Sequence, residues 1–158
     1  FGHTRLSIID LDKSSNQPFK NKEIIVVFNG MIYNYLEIKA KLKNQYNFKT
    51  NSDTEVILAA YKTWKKDCFK YLNGMFSIVI YDIKLNEIIV ARDRLGIKPL
   101  YYRKLKNKIY LSSEIKPLLK LGKYNQDYET VYDYFQSSFY ENKDKTFFKE
   151  VKQFVPNH

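Results

Sequence analysis

Between Gly74 and Ser112 short apolar runs alternate with short polar breaks, and this rhythm constrains the fold more than any other feature of the chain. Residues 75–82, 87–92, 100–104 and 108–111 have the length and the β-branched, aromatic content of strands. The breaks at 82–86, 93–99 and 105–107 are rich in Asp, Asn, Gly and Pro and are short enough for hairpin connections. The expectation is an antiparallel meander of four strands. Two further strands are expected upstream, over 5–9 and 23–28. The second is a nearly unbroken β-branched run, as expected of a strand buried on both faces. Ser14, Ser15, Asn16 and Pro18 make the stretch between them a loop.

Elsewhere the apolar period is helical. Val56, Ile57, Ala60, Tyr61 and Trp64 form the clearest inward stripe in the chain, with Ser52 or Asp53 placed to cap that helix and Glu55 in its first turn, where the helix dipole favours a carboxylate. Asn34 is placed to cap an earlier helix from Tyr35 to about Leu42, with Tyr35, Ile38 and Leu42 on one face. A helix over 113–121 stopping near Gly122 and another over 128–137 follow the strands. Residues 142–145 read as a turn and 147–155 as an irregular end. Helices and antiparallel strands in this order predict an α+β layered domain.

The 158 residues suit one domain, and 44% apolar and 16% aromatic residues supply its core. No apolar run approaches the roughly 20 residues of a membrane span, and residues 1–10 lack a basic region leading into an apolar one. One cysteine, Cys68, precludes an internal disulfide and fits a reducing, cytoplasmic setting. The formal charge of +10 raises the question of nucleic acid. Its lysines are scattered, however, and arginine is confined to Arg5, Arg92, Arg94 and Arg103, whereas base and phosphate readout favours clustered Arg. Lys39, Lys41 and Lys43 lie on the solvated face of an amphipathic helix. No nucleic-acid or membrane partner is expected. There is no Cys/His ligand spacing for a metal and no phosphate-binding glycine loop.

Three separated motifs carry a resemblance. They are Asn29-Gly30-Met31-Ile32-Tyr33-Asn34, Ser52-Asp53-Thr54-Glu55-Val56-Ile57, and the run from Ala91 to Tyr102 (ARDRLGIKPLYY). In this order they resemble the glutaminase domain of glutamine-hydrolysing asparagine synthetases, class II glutamine amidotransferases of the N-terminal nucleophile hydrolase superfamily. Ser112-Ser113-Glu114-Ile115-Lys116-Pro117 and Thr146-Phe147-Phe148-Lys149 with Pro156-Asn157-His158 extend the likeness over the whole chain. The implied fold is α+β, a four-layer αββα sandwich lacking its first strands. Residues 1–158 would then be a partial amidotransferase domain, with a nucleophile-bearing segment upstream and an ATP-dependent synthetase domain downstream.

The resemblance also implies roles. Arg5 would grip the substrate α-carboxylate, with the backbone of Leu6, Ser7, Ile8 and Ile9 lining the site; a guanidinium fork suits both carboxylate oxygens. The Asn29 side chain and the Gly30 N–H would hold the oxyanion of the tetrahedral intermediate, glycine allowing close approach of the backbone. Asn-Gly is also the commonest hairpin dipeptide, but a helix pattern follows it here. Asp53 would hold the α-ammonium, a role compatible with capping a helix. Met31 stands where the family carries a glutamate sharing that ammonium, and a thioether cannot replace the charge. The loss of one charge-assisted contact is expected to cost about 1.5–3 kcal/mol of glutamine affinity.

The family's nucleophile and base are the thiol and α-amine of an N-terminal cysteine. This chain begins with Phe1, and Cys68 reads as a core filler. The 158 residues are therefore expected to be inactive alone. No cofactor is expected in this domain; ATP and Mg2+ are implied for the synthetase domain. L-glutamine and that domain are the implied partners, and a homodimer is among the implied assemblies. Two other readings stand beside this one. The first is a degenerate, glutaminase-like scaffold or regulatory domain, motivated by Met31. The second is an amidotransferase with a different nitrogen acceptor. Asp93, Arg94 and Gly96 read as a structural turn burying an Asp–Arg pair.

Overall fold

The computed structural model of the chain describes residues 1–4, 9–10, 12–138 and 144–158. The expected strand at 5–9 and the expected turn at 142–145 therefore lie largely outside the described residues; within them, Ile9 is a bend residue and Asp144 a turn residue. Two compact units follow one another, residues 1–91 and 92–158. Among the described residues, no helix is long and apolar enough to cross a membrane.

The first unit is built on four strands in the order β1-β2-β3-β4: Phe19–Lys20, Ile24–Ile32, Gly74–Asp82 and Glu87–Arg92, whose last residue begins the second unit. Strands β2 and β3 are antiparallel over their full length, from Ile24 opposite Asp82 to Ile32 opposite Gly74. Ile24, Val26, Phe28 and Ile32 are buried, while Ile25 and Val27 between them are only half-buried. The strand thus has one fully buried face, not two. Its β-branched run misleads because such residues suit the pleat on either face. The strand is also longer than expected and runs straight through Asn29-Gly30 to Ile32.

Helices α1 (Tyr35–Leu42) and α2 (Asp53–Trp64) connect β2 to β3. Ile38 and Leu42 of α1 are buried, and Tyr35 packs partly buried against the core. Asn34 stands at the N-cap but makes no capping bond. Its side chain donates to the Tyr71 carbonyl (2.9 Å) and accepts from the Asn73 N–H (3.0 Å), tying the start of α1 to the entry of β3. Helix α2 is buried all round from Asp53 to Tyr61, so the expected stripe is only part of what it hides, and Trp64 is half-buried. A helix apolar on every side is a core helix. It packs with Phe28, Ile78, Ile80, Cys68 and Leu72.

Two buried carboxylates hold α2. Glu55 accepts from the N–H groups of Lys49 and Thr50, from the Thr50 hydroxyl (2.6 Å) and from the Tyr46 phenol (3.3 Å). Its work is to fold the 46–50 linker onto the helix, beyond any effect on the dipole. Burial, and then the Glu55 charge, push the Tyr46 phenol up to about 12. At the other end Asp82 accepts from Tyr61 Oη (3.1 Å), Lys65 Nζ (3.2 Å) and the Leu85 N–H (3.0 Å).

The second unit holds a three-stranded antiparallel sheet in the order β6-β5-β7, with β5 Tyr101–Leu105, β6 Lys108–Ser112 and β7 Val151–Gln153. The expected four-strand meander is therefore two hairpins in two sheets. The break at 93–99 does not reverse the chain into a neighbouring strand. The Asp93 carboxylate collects the N–H groups of Leu95, Ile97 and Lys98, which turns the chain out of its first sheet. The buried residues here are Arg92 and Asp93, each bonded to backbone, whereas Arg94 is exposed. The Arg92 guanidinium donates to the carbonyls of Lys98, Gly96 and Phe154. Arg103, equally buried, donates to those of Leu118, Gly122 and Lys123. Helix α3 spans only Ile115–Leu119, shorter than expected, because Ser113 and Glu114 stay extended or bent; α4 spans Tyr128–Ser137 as expected. The end expected to be irregular contains β7, whose three residues pair with Tyr101–Arg103, too short a strand to show a period.

Asp82 yields a test. Burial raises its pKa, but the bonds from Leu85, Lys65 and Tyr61 outweigh this and hold the carboxyl below the ordinary range. Its stabilisation is then complete above the ordinary aspartate value of about 3.9 and is lost as pH falls through the lower folded value. Asp82→Asn should cost roughly 1–3 kcal/mol at pH 7 and much less at pH 3. Urea unfolding at the two pH values measures both.

Candidate functional site

In an antiparallel strand, successive residues turn their N–H and C=O to opposite neighbours. On β2 the residues of odd number face β3, as does Tyr33 just beyond, whose N–H donates to the Asn73 carbonyl. The even residues face the opposite edge. There the Ile24 carbonyl accepts from Asn21 (3.0 Å), and β1 pairs with Val26. Next, Phe28 bonds the side chain of Gln17 twice, its N–H donating to Oε1 (2.6 Å) and its carbonyl accepting from Nε2 (2.9 Å). Further on, the Ile32 N–H donates to Asp53 Oδ2 (3.2 Å). Gly30 lies between Phe28 and Ile32, so its N–H and C=O point to this same edge. Among the described residues no strand is laddered to it there.

Asp53 reaches the edge because it is not the cap of α2. Ser52 caps the helix, its hydroxyl accepting from the Thr54 N–H (3.0 Å). The carboxylate of the first helical residue is thereby turned toward β2 while remaining buried. From the amide it holds, Gly30 is two extended residues away, about 7 Å.

Gly30 has a positive φ of 151°, and a Cβ on it would lie 2.0 Å from the Met75 carbonyl oxygen. Gly74 is as closely approached, by the Met31 carbonyl at 2.2 Å. The tripeptide Asn-Gly-Met occurs twice, at 29–31 and 73–75, and the register sets Met31 against Met75. Backbones meet tightly at this end of the sheet because both strands carry glycine there. Asn29 and Met31 are half-buried on the face of β2 away from Phe28 and Ile32. Met31 is thus outside the hydrophobic core, next to the peptide group that Asp53 holds.

The structure therefore gathers Asn29, Gly30, Met31 and Asp53 at one end of β2. Arg5, Leu6, Ser7 and Ile8 lie outside the described residues. Ile9 is half-buried, and the following Asp10 accepts from the Asn51 N–H (2.9 Å) and the Ser15 hydroxyl (2.7 Å), tying the chain that leaves this segment two residues from Asp53. Cys68 is not part of the site. It is fully buried in the core, and burial pushes its thiol up to about 12.

The model of the glutamine amidotransferase domain family matches residues 1–158. The chain belongs to that family. It is 48% identical over 120 residues to asparagine synthetase [glutamine-hydrolyzing] 2 of Bacillus subtilis, covering 75% of this chain and 16% of the relative. It is 44% identical over 123 residues to amidase chry2 of Gibberella zeae, covering 77% and 18%. Among solved structures it resembles the glutamine phosphoribosylpyrophosphate amidotransferase from B. subtilis complexed with ADP and GMP. The TM-score is 0.61 at 26% identity, over 72% of this chain and 27% of the other. The α+β fold is thus that of the amidotransferases with an N-terminal nucleophile. The chain spans about a fifth of the length of the curated relatives it matches.

Two residues that shape this end of β2 carry no obvious signal in the sequence. Gln17 sat unremarked in a loop, where nothing local distinguishes a ladder-forming amide from a solvated one. Gly74 carried a signal, the repeated tripeptide, that becomes meaningful only once the two strands are paired. The backbone contacts make Gly30 testable by itself. Gly30→Ala should destabilise the chain by about 2–4 kcal/mol, from positive-φ strain and the clash with β3. Thermal unfolding measures the loss.

Proposed function

We propose that this chain is the glutaminase part of a glutamine-hydrolysing asparagine synthetase, in which L-glutamine is cleaved to glutamate and ammonia and the ammonia amidates aspartate at an ATP- and Mg2+-dependent synthetase domain elsewhere in the protein. One observation carries the reading. Ser52 caps α2, so the Asp53 carboxylate is turned to the edge of β2, two residues from the unladdered N–H of Gly30. A carboxylate for an α-ammonium and a main-chain donor for a carbonyl oxygen then stand along one short line, as one small amino acid requires.

In this reading Arg5 pairs the α-carboxylate, the backbone of residues 6–9 lines the site, and Asp53 takes the α-ammonium. A thiolate adds to the δ-carbonyl, and the oxyanion is held by Gly30 N–H and the Asn29 amide. The C–N bond then breaks with protonation of the departing ammonia, and water releases glutamate. Cys68 does not supply the thiolate, because its burial and raised pKa keep it protonated and out of reach. We assign the nucleophile to a cysteine on a preceding segment and expect the 158 residues alone to bind glutamine without cleaving it.

Met31 favours a second reading, a glutaminase-like domain that has become a scaffold or regulator of an ammonia-using enzyme. It places an uncharged thioether beside the peptide held by Asp53. The likeness to a phosphoribosylpyrophosphate amidotransferase keeps a different nitrogen acceptor in view.

Calorimetric titration of L-glutamine into the chain separates these readings. Asp53→Asn should weaken binding by about ten- to a hundred-fold, the loss of one charge-assisted contact. Binding that Asp53→Asn leaves unchanged would remove Asp53 from the site. In the opposite direction, Met31→Glu should tighten binding by a similar factor without unfolding the chain, because position 31 lies outside the core. Tightening marks Met31 as an eroded ammonium contact; no change, with the fold intact, shows that it is not one.

A further inference from the structure

The Gln17 side chain fills a ladder position that its own backbone does not. The β1–β2 register pairs Phe19 with Val26 and Lys20 with Ile25. Continued in step, it would set Pro18 against Val27, Gln17 against Phe28 and Ser15 against Gly30. The backbone ladder ends at Phe19; Pro18 would stand opposite Val27, whose own N–H and C=O face β3, so the next hydrogen-bonded pair would be Gln17 with Phe28. The Gln17 side-chain amide then supplies both halves of the missing pair, Oε1 accepting from Phe28 N–H and Nε2 donating to Phe28 C=O. A primary amide is the side chain able to imitate a peptide group in this way, with one acceptor and one donor in a plane.

The ladder goes no further. Ser15 stands in a 3-10 turn over Lys13–Ser15, and its hydroxyl is bound by Asp10 instead. The edge of β2 is thus closed at Phe28 by an amide and at Ile32 by the Asp53 carboxylate, and among the described residues no strand is laddered to Gly30 between them. Gln17 Nε2 also lies 3.5 Å from the hydroxyl of Thr54, the residue after Asp53. One side chain therefore contacts both the strand that carries the Gly30 donor and the helix turn that carries Asp53.

We propose that Gln17 is a positioning residue of the amidotransferase site, setting where the Gly30 N–H stands relative to Asp53 and hence selecting an amino acid that carries a carbonyl at its δ-carbon. The inference rests on the assignment of Gly30 and Asp53 to glutamine given above. Gln17 does not touch the substrate. It fixes the strand edge that does, and without it Phe28 and Gly30 would have a freer edge to settle.

The test uses Gln17→Glu, which keeps shape and the acceptor for Phe28 N–H but replaces the donor to Phe28 C=O by a negative oxygen, alongside Gln17→Ala. Two ligands are titrated into the 158-residue chain: L-glutamine, and L-norvaline, which has the same α-groups and chain but a methyl in place of the δ-amide. The amide signals of Gly30 and Ile32 are followed by NMR. Gln17→Glu should weaken L-glutamine about ten-fold, one lost positioned hydrogen bond, move the Gly30 amide signal, and leave L-norvaline unchanged. Equal loss for both ligands would mean that Gln17 merely holds the fold. Unchanged L-glutamine affinity with an unmoved Gly30 signal would also overturn the proposal while leaving the glutamine site standing. A wild-type chain that binds neither ligand would remove the glutamine reading itself, and this inference with it. Should Gln17→Ala fail to fold, Gln17→Glu alone decides.

Discussion

Strand β2 has two edges with different fates, and the arrangement of the site depends on that asymmetry. Toward β3 it is laddered along its whole length, from Ile24 to Ile32. Toward β1 it is laddered only at Ile25 and Val26, after which side chains take over. Main-chain N–H and C=O groups demand partners wherever water is excluded. Filling this edge with an amide at Phe28 and a carboxylate at Ile32 meets that demand selectively, and among the described residues no strand is laddered to the glycine between them.

Rigidity at that point comes from its surroundings. Gly30 and Gly74 let the two backbones approach more closely than side chains would allow. Helix α2, buried on all sides, gives Asp53 a fixed base, and the bonds of Glu55 to the 49–50 backbone keep the approach to its N-terminus from fraying. Each unit uses buried charge to shape backbone. Glu55, Asp82 and Asp93 gather N–H groups, while Arg92 and Arg103 gather carbonyls. Such groups tolerate burial because most of their lone pairs and protons are occupied, the buried Nε of Arg103 being an exception, and removing the partner of any of them would leave a costly charge behind.

Secondary structure was legible where period and length agreed. The apolar stripe of α2, the 128–137 helix and the 87–92 strand lie where the pattern puts them. The errors have separate causes. Strand β7 is three residues long and has no measurable period. The four-strand meander split because the Asp93 turn changes sheets, an event decided by hydrogen bonds that span two to five residues and leave no periodic trace. The buried arginine beside Asp93 is Arg92 and not the expected Arg94, since nothing in ARDR says which arginine is buried.

By itself the sequence determined the α+β class, the family and the identity of the residues at the end of β2, because motif order and residue chemistry survive without coordinates. What tertiary structure decided was their accessibility and orientation. Ser52 and Asp53 are equal candidates for a helix cap on paper; only the packing of α2 against β2 gives the cap to Ser52 and turns Asp53 to the strand edge. Gln17 is an ordinary loop residue until the β1 register stops two residues short of it. Both decisions rest on which hydrogen-bonding groups remain unpaired after distant segments have met, and that quantity does not exist in a linear chain.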